Sequence, residues 1–186
     1  MSSKSLNISY TMPIVLIGAA GLILISRGMH NSWGLLLIPL TDHLNVGREI
    51  YSIGIAFNVL FTGLGAPIFG ALADKYGPGK AIFVGVILQL ISQFWLSNVS
   101  SSFDLIGALL LGGFAAAGFI GIAMAAVGRS VNPNNRSLFV GMVMASGGLG
   151  QFLITPLMSG IIQNSGWLTA IYLLMFFSSI LIIFSY

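Results

Sequence analysis

Six apolar runs, each close to the roughly 20 residues a helix needs to cross a bilayer core, dominate this chain and leave little room for any other fold. They cover about 12–40, 52–73, 81–97, 103–128, 138–162 and 167–184, and the first is long enough to tilt or protrude. Turn and charge signals fall between them, at 41–45, 74–80, 98–102, 129–136 and 163–166. The expected architecture is therefore all-α and membrane-embedded, one six-helix domain over 1–186 with the lipid bilayer as its surroundings. Only 6% of the residues are charged, against about a quarter in a soluble domain. The first run is too long for the core of a cleavable leader, and no small-residue cleavage site follows it, so that helix is expected to stay. With no cysteine in the chain, disulfides and thiolate metal sites are excluded. Nothing in the sequence implies a metal or a cofactor.

The basic residues set an orientation. Lys4, Lys75, Lys80, Arg129 and Arg136 fall on one side of the six runs, whereas Arg48 lies on the other beside Asp42, Glu49 and Asp104. The positive-inside rule then places both termini in the cytoplasm. The net charge of +3 comes from these loops and requires no nucleic-acid partner.

An internal repeat refines the architecture. Residues 67–77 align with 156–166 at an offset of 89, and the register continues from Ala81-Ile82-Phe83 to Ala170-Ile171-Tyr172. Two copies of a three-helix unit follow, over about 12–97 and 103–184. An odd number of spans per copy forces the copies into opposite orientations, the inverted-repeat logic of secondary transporters. Gly54, Asn58, Thr62, Ala66 and Gly70 recur every four residues along the second run. Gly147, Gln151, Thr155, Ser159 and Gln163 do so along the fifth, so each set shares one helix face. Asn58 and Gln151 on these faces either pack helices together or line a substrate cavity. A third stripe, Gly113, Ala117, Gly121 and Ala125, carries no polar side chain and reads as packing.

One charge sits where charge is costly. Arg27 lies inside the first run, and a guanidinium near the middle of a membrane helix costs about 2.5–3.5 kcal/mol on insertion scales. Arg27, His30, Asn31 and Gly34 follow an i, i+3, i+4, i+7 spacing and share a face. All four acids, Asp42, Glu49, Asp74 and Asp104, lie in loops or at span ends, so none is an obvious intramembrane partner. A planar guanidinium matches a carboxylate bidentately, which makes a substrate carboxylate the economical partner for Arg27. His30 either carries a coupling proton or is a neutral imidazole bonded at a helix face. Trp33 either stacks on substrate or sits at the outer membrane interface, the latter favoured by the usual enrichment of tryptophan there. Gln89 and Gln93 share a face of the third run and read as helix-packing residues.

The stretch 70–80, with Gly70, Asp74, Lys75, Gly77 and Lys80 between the second and third runs, resembles the signature loop of the major facilitator superfamily. Residues 31–40 and 146–157 are similar to its bacterial monocarboxylate-porter and oxalate/formate-antiporter-like branch. That resemblance implies a bacterial inner-membrane protein forming one half of a twelve-helix fold, and a gating role for Asp74, Lys75 and Lys80 at the cytoplasmic side. Arg129, at the same side, is the expected partner of Asp74. The chain departs from the pattern at Pro78 and Gly79, where basic residues are usual, and in lacking the span-four arginine of many drug–proton antiporters. The resemblance implies a secondary active transporter of small organic anions, mono- or dicarboxylates, working by alternating access. Two six-helix units are needed, as a homodimer or with another such unit. The alternative is a non-transporting module, a truncated half or an accessory subunit. No acidic pair lies within a span, and no nucleophile-elbow, zinc-protease or P-loop motif occurs, so an enzyme is not expected.

Overall fold

The computed structural model describes residues 8–185, with side chains from 13 to 183; Lys4, one of the orienting residues, lies outside them. Among the described residues there are helices and turns and no strand. The first span is α1 (Ile8–Ser32), a 3-10 turn at Trp33–Leu36 and α2 (Leu37–Leu44). The second, third and fourth are α3 (Arg48–Tyr76), α4 (Pro78–Ser97) and α5 (Ser102–Ser130). The fifth is α6 (Arg136–Ser165), and the sixth is α7 (Trp167–Ile180) continued by a 3-10 turn at Leu181–Ser185. Many large apolar side chains face outward, among them Phe103 at 87%, Phe152 at 75% and Ile17 at 71% exposed. Such a surface needs hydrocarbon around it, and helices are the open-chain solution that satisfies every backbone group there. The protein is a multi-pass integral membrane protein.

Local chemistry explains where the helices stop. Residues 41–44, expected in a turn, instead form the last turn of α2. Thr41 is buried there, its hydroxyl donating to the Leu37 carbonyl at 2.8 Å. The helix ends one residue later, at Asn45, which takes the left-handed conformation (φ 51°) that asparagine tolerates. At the start of α5, Ser101 Oγ accepts the Asp104 N–H at 3.1 Å and donates to its carboxylate at 2.7 Å, a reciprocal N-terminal cap.

The repeat is visible in the backbone. Gly77 (φ 94°, ψ 154°) and Gly166 (φ 85°, ψ 166°) take the same conformation 89 positions apart, each between two helices. Their N–H groups bond to Ala73 at 3.0 Å and to Ile162 at 3.1 Å, again 89 apart. Pro67 and Pro156, also equivalent, lie inside α3 and α6 on exposed faces. The tightest packing crosses between the copies, α3 against α5 and α1 against α6. Asn58 Nδ2 donates to the Leu109 carbonyl at 2.7 Å and Thr62 Oγ1 to that of Gly113 at 2.9 Å, both 51 positions apart. Ser146 Oγ donates to the Ala20 carbonyl at 2.9 Å, 126 positions apart. Gly150 lies against the Leu24 carbonyl at the same separation. A constant difference means each pair runs parallel, so α5 runs with α3 and against its own counterpart α1. The copies are therefore inverted.

The stripes divide between packing and surface. In the α5 stripe, Gly113 and Ala117 are buried against Asn58 and Gly65. Gly121 and Ala125 are exposed, and beside Gly121 there is open space, so the packing expected of the whole stripe holds only for its first half. Gln93 accepts the Ser178 hydroxyl at 2.9 Å and thereby joins α4 to α7.

Candidate functional site

The broken first span shapes the site, and Pro39 explains the break. A proline in a helix interior lacks the N–H for the carbonyl four residues earlier and clashes with it. The 3-10 turn at Trp33–Leu36 restarts the helix at Leu37, so that Pro39 falls in the first turn of α2, where no N–H is required. The restart turns the Leu37 N–H to the Gly34 carbonyl instead of that of Trp33. The Trp33 carbonyl accepts the hydroxyl of Tyr51 from α3, which is buried at 1% exposure.

Between this broken span and α3 lies a cavity of about 430 Å³. His30, Asn31, Trp33, Gly34 and Leu37 line it from the first span, and Tyr51, Ser52, Ile55 and Asn58 from α3. Three of the expected binding residues, His30, Asn31 and Asn58, thus meet in one cavity. The amide groups of both asparagines are held by backbone: Asn31 Nδ2 donates to Arg27 at 3.0 Å and Asn58 Nδ2 to Leu109. Asn58 therefore packs helices and lines the cavity at once. Trp33 is 5% exposed and lines the cavity rather than sitting at a lipid interface, because the 3-10 turn rotates it inward. Tyr51 and Ser52 were not singled out from sequence. The signal for Tyr51 is its hydroxyl, placed just after the loop that returns the chain to the level of the proline break.

Arg27 and Gln151 lie outside this lining. The stem of Arg27 crosses α6 at Gly147, where an added Cβ would come within 3.0 Å of Arg27 Cγ. Arg27 is half-buried, and its guanidinium makes no hydrogen bond or ion pair with another described residue. It shares the helix face of Asn31 and Gly34, one turn from the cavity lining. Gln151 is exposed, one turn along α6 from Gly147. Perfect repeat symmetry would set it on the Leu24 carbonyl, as its equivalent Thr62 sits on Gly113. Instead Gly150 takes that place, because a residue without Cβ allows the backbones to touch, and Gln151 turns outward.

The four residues expected to gate, Asp74, Lys75, Lys80 and Arg129, lie toward the other end of α3. Asp74 and Arg129 approach to 3.6 Å with side chains 75% and 58% exposed. They stand at the mouth of a cleft of about 130 Å³ lined by small residues of α3 and α5, including Ala66, Gly70, Gly118 and Gly121. Arg129 Nε also donates to Ala125 at 3.2 Å, closing the end of its own helix. Lys75 lies over the Tyr76 ring at 5.0 Å, and Lys80 is exposed in the first turn of α4.

Two inverted three-helix repeats thus pack together, with a cavity between the first span and α3. The chain belongs to the Major Facilitator Superfamily, whose family model matches residues 9–186. It is also similar to monocarboxylate transporter 13 of Bos taurus, 30% identical over 125 residues. That match covers 67% of this chain and 28% of the relative, so the chain aligns to little more than a quarter of the relative's length.

Proposed function

We propose that this chain is one six-helix half of a secondary transporter for small organic anions, mono- or dicarboxylates, with Arg27 as the anion receptor. The observation that carries the reading is Arg27 itself. It is a charge within a membrane span, without a protein partner among the described residues, on the helix face that continues into a cavity of about 430 Å³. An unneutralised guanidinium in low dielectric favours a carboxylate, which it binds bidentately. The similarity to a protein named as a monocarboxylate transporter supports the same substrate class. In this reading His30, in the cavity wall, exchanges a coupling proton with substrate or water.

A second six-helix unit, another copy or a further unit, completes the pathway in this reading. Gln151 supports it: an exposed amide in the fifth span is costly against lipid and finds its partners on a facing unit or in the water-filled path between units. The exposed Asp74–Arg129 pair then closes the cytoplasmic side as the units rock, with both termini cytoplasmic in a bacterial inner membrane.

Uptake of radiolabelled mono- and dicarboxylates into proteoliposomes tests the assignment. Wild-type protein should accumulate at least one of them, and Arg27→Ala should reduce its initial rate by about a hundredfold, the worth of a charge-assisted contact of about 3 kcal/mol. Uptake unchanged in the variant would remove Arg27 from the site.

A further inference from the structure

The cavity has a movable wall. Its first-span side is built on the 3-10 turn, and this turn has exchanged an α-helical bond at Trp33 for one from another helix. Mid-helix 3-10 segments of this kind mark hinges, because the backbone ladder is interrupted there. Beyond the break, α2 has only eight residues and ends in the left-handed Asn45. An isolated helix so short has little stability of its own, so its position depends on what holds it. Leu40 and Thr41, with Leu36 before them, are buried and pack the segment into the core, and two specific ties add to this. The Tyr51 hydroxyl reaches the Trp33 carbonyl, and His43 near the far end stacks on Trp167 with ring centroids 4.9 Å apart. The first tie is buried, whereas in the second His43 is exposed and Trp167 half-buried, so the first is the stronger hold on the turn. Gly34 is exposed, and an added Cβ there would meet nothing within 4 Å, so the outer side of the turn is unpacked.

We propose that Tyr51 is a positioning residue that latches the wall of the cavity, and that the segment Leu37–Leu44 swings about the Trp33–Leu36 turn to open and close it when the latch lets go. The latch exists because Pro39 breaks the helix: where the Leu37 N–H returns to the Trp33 carbonyl, Tyr51 has nothing left to hold. This inference rests on the reading of the cavity as the substrate site, but its test needs no substrate.

The chain contains no cysteine, so one introduced thiol reports one place. Leu40 on α2 is fully buried and becomes reachable only when that segment moves, whereas Val86, fully buried on α4, reports loosening of the whole bundle. In nanodiscs, with both faces open to a hydrophilic maleimide, Tyr51→Phe should raise the labelling rate of Leu40→Cys about tenfold, the effect of losing one buried hydrogen bond. The rate at Val86→Cys should stay unchanged. Adding Pro39→Ala, which restores an N–H to the Leu35 carbonyl and removes the ring clash there so that the Leu37 N–H can return to Trp33, should shrink the effect of Tyr51→Phe to less than about twofold. No change at Leu40→Cys, a parallel rise at Val86→Cys, or a full effect in the Pro39→Ala background would each overturn the latch. Failure here leaves the anion assignment standing, and loss of that assignment leaves the labelling result intact.

Discussion

Gly150 offers the most direct test of how the two repeats are held together. At this position α6 touches the backbone of α1, and a Cβ would lie 1.8 Å from the Leu24 carbonyl oxygen. Real Cβ contacts essentially never fall below 3.0 Å, so Gly150→Ala must separate the helices by about 1.2 Å, the difference between these distances. A gap of that size forfeits up to half of the dispersion well between facing atoms. It also stretches the Ser146–Ala20 hydrogen bond, now 2.9 Å, to about 4 Å, beyond bonding range. Overpacking of about 1–3 kcal/mol plus a lost interhelical bond of about 0.6 kcal/mol gives a destabilisation of about 3 kcal/mol. The neighbour Gly148 is exposed with open space around it, so Gly148→Ala should be neutral or stabilise by about 0.5–1 kcal/mol through helix propensity. Unfolding in mixed micelles, followed by tryptophan fluorescence, measures both. Equal stability of Gly150→Ala and wild type would refute the close α1–α6 contact and the repeat packing derived from it.

Two further predictions concern the same scaffold. Asn58→Leu removes the donor to Leu109 and should cost about 1–2 kcal/mol in the same unfolding assay, with Thr62→Val costing less because its loop of bonds includes its own helix. Gly77→Ala and Gly166→Ala should each cost about 1–2 kcal/mol and by similar amounts, since both glycines hold the same positive-φ conformation with free space around them; unequal costs would show that the two turns are not equivalent.

Much of this fold was legible in the sequence because two periodicities carry it. The span lengths follow from bilayer thickness, and the 89-residue register aligns Gly77 with Gly166, which share a backbone conformation. What the register could not foretell is a rotation of α6 by one residue. Asn58 and Ser146 donate to equivalent carbonyls, Leu109 and Ala20, yet Ser146 stands one place before the equivalent of Asn58. That shift decides which face of α6 is buried, and it turns Gln151 outward. It arises from packing, where Gly150 can touch backbone and a glutamine cannot. The break at Trp33 was hidden for a related reason: the first run reads as one long span, and the Tyr51 hydroxyl that meets the turn comes from another helix. Of the expected site, His30, Asn31 and Asn58 share one cavity, while Arg27 lies one turn away across Gly147.

Whether Arg27 meets a carboxylate is read from ligand-induced stabilisation of the purified protein. A ligand that binds only the folded protein stabilises it by about 2.7 kcal/mol at a hundredfold excess over its Kd, enough to raise the unfolding midpoint by several degrees. At least one small carboxylate should raise the midpoint of the wild-type protein, its uncharged amide should not, and Arg27→Ala should abolish the shift while folding normally. An equal shift in Arg27→Ala, or an equal response to the amide, would contradict the assignment.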